Sequence, residues 1–74
     1  MHAEMINPQE QILGEIEDRA FTRDNVAKTY AFCIRQRHEV DFDIVNRAIL
    51  KRWSPAGLLY IKKRAWQWLA GREK

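Results

Sequence analysis

Cysteine is nearly absent from this 74-residue chain: Cys33 stands alone and cannot form an internal disulfide. Unstapled thiols persist in reducing compartments, so the sequence is expected to belong to the cytoplasm. No apolar run approaches the ~20 residues of a membrane-spanning helix, which excludes that class of partner. Met1-His2-Ala3-Glu4-Met5 lacks a basic segment followed by an apolar one and does not read as a secretory signal. Three glycines and two prolines are too few for a phosphate-cradling loop or a flexible linker. No stretch alternates as a half-buried strand would. Asp and Glu are missing altogether between Ile44 and Arg72.

That acid-free stretch is basic and aromatic. It holds Arg47, Lys51, Arg52, Lys62, Lys63, Arg64 and Arg72 together with Trp53, Tyr60, Trp66 and Trp68. Cations neutralise phosphates and flat rings stack on bases, so this composition suits a polyanion-binding surface. The asymmetry extends to the halves of the chain. Residues 1–37 carry five basic and six acidic side chains, and residues 38–74 carry eight and four. An acidic first helix packed near a basic last one accounts for the same numbers. Hydrophobic residues make up 46% of the chain, enough for one small core.

Capping chemistry places four helices. Asn7-Pro8-Gln9-Glu10 combines an N-cap, a proline at the first helical position and a Glu three residues after the cap. Ile12, Leu13, Ile16 and Ala20 follow at helical spacing, while Gly14 weakens the helix and Glu15, Glu17 and Asp18 keep its other side wet. Thr22 caps the second helix, with Asp24 in its first turn and Phe21 and Val26 as a hydrophobic staple. Val26, Tyr30, Cys33 and Ile34 form its apolar stripe, and it is expected to end near Gln36 to His38. Asp41 caps the third helix, which buries Phe42, Val45, Ile49 and Trp53 beside Ala48, with Val40 and Val45 as its staple. Ser54-Pro55 then restarts the chain, with Trp53 and Leu58 as the last staple. The fourth helix runs to about Ala70 and Gly71.

The expected fold is therefore all-α, a compact four-helix domain over residues 1–74 with a flexible N-terminus at 1–6. A one-residue cap between helices three and four forces a corner of helix-turn-helix type. The core should draw on Ile12, Ile16, Phe21, Val26, Tyr30, Ile34, Phe42, Val45, Ile49, Trp53, Leu58, Ile61 and Trp68. Trp53 lies at the corner; if fully buried, its replacement by Ala would cost ~3–5 kcal/mol.

Catalytic chemistry has no support in the residue pattern. Thr22 and Ser54 are explained by capping, and Cys33 falls on an apolar stripe where cysteine is a small hydrophobe. His38, Glu39, Asp41 and Asp43 form the only cluster with metal-binding groups. Its carboxylates suit a helix N-terminus, and it lacks the His and Cys spacing of a zinc site. Neither an enzymatic activity nor a cofactor or metal is expected. On the fourth helix, Leu58, Ile61, Ala65 and Trp68 are expected to face the core, with Leu59, Lys62, Lys63 and Trp66 on an adjacent stripe. The first turn of that helix, Pro55-Ala56-Gly57, offers nothing to base edges, so recognition there would be of the backbone. The candidate binding residues are Lys51, Arg52, Lys62, Lys63, Arg64 and Trp66.

Thr22-Arg23-Asp24, Val26-Ala27-Lys28-Thr29-Tyr30-Ala31, Arg52-Trp53-Ser54, Gly57-Leu58 and Ile61-Lys62-Lys63-Arg64-Ala65-Trp66 together resemble short uncharacterised proteins of phages and prophages. The resemblance covers about residues 21–68. It implies a small accessory protein of the bacterial cytoplasm and brings no activity, catalytic residue or partner with it. Two functions are then expected to compete. One is binding of nucleic acid by the basic C-terminal half. The other is a protein-interaction module, either a small inhibitor of a host protein or a self-associating homodimer, anchored by Trp, Tyr and Arg. Self-association would also relieve the weak core of so small a domain.

Overall fold

Asn7 opens the structure as a side-chain cap: its Oδ1 accepts from the backbone N–H groups of Gln9 and Glu10 at 2.9 and 3.1 Å. The computed structural model describes residues 7–72, so the expectation of a flexible segment at 1–6 lies outside the described residues. Four α-helices follow: α1 (Pro8–Glu17), α2 (Arg23–Arg35), α3 (Phe42–Arg52) and α4 (Pro55–Arg72), with a single 3-10 turn at Arg37–Glu39 between α2 and α3. Among the described residues there is no strand, and no helix is long and apolar enough to cross a membrane. The Cα radius of gyration is 12.2 Å, close to the ~11 Å of a compact domain of this length.

Local chemistry accounts for each helix start. Thr22 Oγ1 accepts from the N–H of Asn25 at 3.2 Å, while Asn25 Oδ1 accepts from the N–H of Thr22 at 3.1 Å. This is a reciprocal box in which Asn replaces the usual Glu or Gln. Asp41 accepts from the N–H of Asp43 at 3.0 Å, and its own N–H donates to Gln9 Oε1 at 2.8 Å, tying the start of α3 to the start of α1. Ser54 Oγ accepts from the Gly57 N–H at 3.3 Å. Ser54 nevertheless has φ 109°, a left-handed conformation that costs a residue with a Cβ on the order of 1–3 kcal/mol. The connection between α3 and α4 is thus two residues, Trp53 and Ser54, held under strain.

The core forms where the helices share their stripes. Ile12 and Ile16 of α1, Val45 and Ile49 of α3, and Val26, Tyr30 and Cys33 of α2 are buried together. The Tyr30 ring lies 5.6 Å from that of Phe42, and its hydroxyl donates to Asn46 Oδ1 at 2.8 Å, so the one polar atom it takes inside is satisfied. Cys33 Sγ donates to the carbonyl of Pro8 at 3.5 Å. A second stripe of α2 meets α4, the most extensive packing in the fold. Ala27 and Ala31 on α2 and Ala65 on α4 are buried there, and their small side chains let the two backbones approach.

Several expectations change on contact with this packing. Along α4 the buried row is Ile61, Ala65 and Leu69; Leu58 is partly buried, and Trp68 is 37% exposed against 7% for Leu69. Position 68 lies about 100° round the helix from Leu69, so its indole stands at the rim beside Lys28, Phe32 and Arg35. Trp53 is only partly buried, with the Arg52 guanidinium 4.2 Å from its ring centroid. Its truncation should therefore cost less than the ~3–5 kcal/mol of a fully buried aromatic. Glu15 is half-buried, not wet: Oε2 accepts from Gln11 Nε2 at 3.1 Å, while Oε1 is shut from solvent and has no hydrogen-bond partner.

Burial also shifts two titrating groups in the core. Desolvation, with a smaller push from the nearby Glu15 carboxylate, raises the Cys33 thiol from 9.0 to about 12. Desolvation raises the Tyr30 phenol from 10.0 to about 12, with Cys33 adding to the shift and the Asn46 hydrogen bond opposing it. Both groups stay neutral when folded, whereas the unfolded chain releases their protons at the ordinary values. Rising pH therefore favours unfolding: the stability is complete below about pH 9 and is lost as pH climbs toward about 12. Denaturant midpoints measured across that window should fall steeply in the native chain. In Cys33→Ala the fall should begin later, near the ordinary tyrosine value. Identical alkaline profiles for the two chains would contradict the assignment.

Candidate functional site

Four rows at i, i+4 spacing run along α4, and each meets a different environment. The row Gly57, Ile61, Ala65, Leu69 is buried. The row Tyr60, Arg64, Trp68 runs along one flank of α2, from Asp24 near its start to Phe32 and Arg35 near its end. There Tyr60 donates its hydroxyl to Asp24 Oδ1 at 2.8 Å, Arg64 Nε lies 3.4 Å from the same oxygen, and the Arg23 guanidinium sits 5.3 Å from the Tyr60 ring centroid. The hydrogen bond to Asp24, more than desolvation or charge, holds the Tyr60 phenol above its ordinary value. The row Leu59, Lys63, Gln67 points to solvent, with Leu59 68% exposed. From Lys62 onward, the row Leu58, Lys62, Trp66, Ala70 borders the C-terminal end of α2.

That last row forms one wall of a cleft. A recess of about 510 Å³ lies between Trp66, Leu69 and Ala70 of α4 and Ile34, Arg35, Arg37 and His38 at the end of α2. A second recess of about 280 Å³ adjoins it, lined by Tyr30, Ile34, Phe42, Lys62, Trp66 and the same Arg37. Ile34, Arg37 and Trp66 belong to both, so they stand as the ridge between them. Among the described residues no carboxylate lines either recess. The side chains of Arg35, Arg37 and Lys62 make no ion pair or hydrogen bond to another described residue. Trp66 is 58% exposed. The site is therefore a positively charged, partly aromatic cleft that can attract an anion and present a flat ring beside it.

The six residues singled out by sequence are divided by the fold. Lys62 and Trp66 meet in the cleft. Lys63 projects away from it, and Lys51 is exposed near the end of α3. Arg64 is turned to the opposite flank by Asp24 and also donates to Gln67 Oε1 at 3.4 Å. Arg52, expected to meet phosphate, is a structural clamp instead. Its Nη1 donates to the carbonyls of Ile16 and Asp18 at 3.0 and 3.1 Å, and its Nη2 to those of Arg19 and Phe21 at 3.3 and 2.9 Å. Four of the five guanidinium N–H groups are thereby used to close the end of α1 and the turn into α2.

Arg35, Arg37 and His38 enter the site without having been singled out as binding residues. They lie in or beside the acidic half of the chain, and a charge count along the sequence hides them. The signal that could have found them is the cluster of basic side chains where α2 ends, provided that α4 is known to pack alongside. Among the described residues, no three His, Cys, Asp or Glu side chains converge as ion ligands would.

Fold and site together define a small all-helical domain with an acid-free basic cleft between the C-terminal ends of α2 and α4, which run side by side in the same direction. No family model matches the chain, and no curated protein or solved structure is significantly similar to it.

Proposed function

We propose that this protein binds nucleic acid, chiefly through the phosphate backbone, at the cleft between the end of α2 and α4. The observation that carries the reading is the cleft's lining. Arg35, Arg37 and Lys62 lack carboxylate partners and stand beside an exposed Trp66, whereas Arg52 and Arg64 are held by the protein itself. Unpaired cations next to a ring are the groups through which counterion release and ring contact stabilise a nucleic-acid complex. Base reading by the first turn of α4, as in a helix-turn-helix protein, finds no support: Pro55 and Ala56 carry no donors, and Gly57 is buried against Trp53. The protein then acts as a small non-enzymatic accessory of phage type in the cytoplasm, a compartment that suits its free, buried Cys33.

The competing reading is a protein-interaction or self-associating module. It draws on a further recess of about 230 Å³ lined by Lys28, Ala31, Phe32, Arg35, Trp68 and Leu69, of which Arg35 and Leu69 also line the cleft. Titration of a labelled mixed-sequence oligonucleotide, as single strand and as duplex, distinguishes the two. Three phosphate contacts imply a roughly 20–40-fold loss of affinity between about 50 and 200 mM salt. Replacing Arg37 and Lys62 by Ala should weaken binding to every sequence and lower the salt slope by nearly two. Lys51→Ala and Lys63→Ala should change the slope far less. Binding that ignores salt, or no binding at low salt, would exclude the proposal and leave the protein-interaction reading.

A further inference from the structure

The two halves of the cleft differ in chemistry, and the difference specifies the form of nucleic acid. The larger recess is walled by Arg35 and Arg37, which suits a phosphodiester. The smaller one is walled by Tyr30, Ile34, Phe42 and Trp66, with Lys62 and Arg37 at its edge. We infer that the cleft takes an unpaired strand, seating one base against Trp66 in the smaller recess while Arg35 and Arg37 hold the adjacent phosphate in the larger. This rests on the nucleic-acid reading and adds to it the strand state of the ligand.

Size and geometry both favour a base in that seat. The smaller recess, about 280 Å³, is many times the ~10–15 Å³ of space that admits one water, so it has room for a flat ring. A base in a duplex has its faces covered by its neighbours and its edge paired. It can lay a face on the Trp66 ring only by leaving the stack, which opposes binding. An unpaired base offers its face directly, and every base has one, so little sequence preference follows. Trp66 is suited to the role because it is exposed within the cleft, while of the other α4 rings Tyr60 is committed to Asp24 and Trp68 lines a different recess, beside Lys28 and Phe32. Arg37 borders both recesses and lies where a phosphate joins the seated nucleotide to the next.

The experiment uses the full chain and three labelled probes of equal length: a mixed-sequence single strand, its duplex, and a strand of the same charge with abasic positions throughout. The single strand should bind at least about fivefold more tightly than either of the others at the same salt. Trp66→Ala should lower single-strand affinity by at least about fivefold, the lower end of base–aromatic stacking. It should also abolish the preference over the abasic strand and leave the salt slope unchanged. Trp66→Phe should restore part of the loss, and circular dichroism checks that both variants remain helical. Equal binding of all three probes, with the salt slope intact, would overturn the base seat while leaving backbone binding standing. Failure of every probe to bind would end both readings and pass the cleft to a protein partner.

Discussion

Replacing Arg52 by Ala should destabilise the protein by about 2–4 kcal/mol and leave its salt-dependent binding untouched. Four carbonyls lose their donor at once, but they do not count equally. Those of Asp18 and Arg19 are exposed and can turn to water, whereas those of Ile16 and Phe21 are partly buried. Leaving a buried acceptor without a partner costs about 1–3 kcal/mol, so these two decide the size of the effect. Loss of the guanidinium from the Trp53 ring adds roughly 0.5–1 kcal/mol. A small domain has a total stability near the lower end of the usual ~5–15 kcal/mol, so the variant should approach its unfolding threshold. Arg52→Lys should recover little, because one ammonium cannot span four carbonyls that a planar fork reaches. The denaturant midpoint, followed by helical dichroism, measures this directly. A midpoint that does not move, or a salt slope that falls by one in Arg52→Ala, would return Arg52 to the binding surface.

Two glycine-to-alanine substitutions should have opposite signs. Gly57 is buried in the first turn of α4, where an added Cβ would stand 2.5 Å from Trp53 Cβ and 3.4 Å from its Cγ. Cβ atoms are fixed to the backbone, so neither can swing aside and the corner itself must shift. Overpacking of this kind costs ~1–3 kcal/mol, and a Cβ contact so short belongs at the upper end. The better helix propensity of Ala returns up to about 1 kcal/mol. The net expectation for Gly57→Ala is a loss of about 2 kcal/mol. Trimming Trp53 to Ala in the same chain should not rescue it, since the offending Cβ remains. Gly14 is exposed inside α1 with nothing within 4 Å of the added atom, and Gly14→Ala should stabilise by about 0.5–1 kcal/mol. Thermal melts of the two single variants moving in the same direction would contradict the corner geometry.

The cleft and the clamp show why cationic residues on either side of one helix corner need not share a function. Arg52, Lys62, Lys63 and Arg64 are close in sequence and similar in chemistry. Their roles differ because Arg52 finds carbonyls, Arg64 finds Asp24, Lys63 finds solvent and Lys62 finds Trp66 and the end of α2. Only cations left without a partner by the fold remain available to a polyanion. By that criterion the proposed interface moves from the C-terminal half alone to a surface shared with Arg35 and Arg37.

Everything decided within a few residues was legible in the chain itself. The caps at Asn7, Thr22 and Asp41, the prolines opening α1 and α4, and the four helices follow from hydrogen bonds between neighbours two or three positions apart. The apolar stripes of α2 and α3 follow from spacing, because any partner helix must meet that face. Tertiary structure decided the rest. Whether Leu69 or Trp68 is buried depends on which side of α4 meets α2, a matter of how another helix is placed. The clamp of Arg52 spans carbonyls more than thirty residues earlier, and the need for glycine at position 57 arises from a Cβ four residues before it across a strained turn. Arg35 and Arg37 join Lys62 and Trp66 only because α2 and α4 lie side by side. Local periodicity determines which face a helix turns inward; which charges stay free on the outside is settled by the neighbours that packing brings to them.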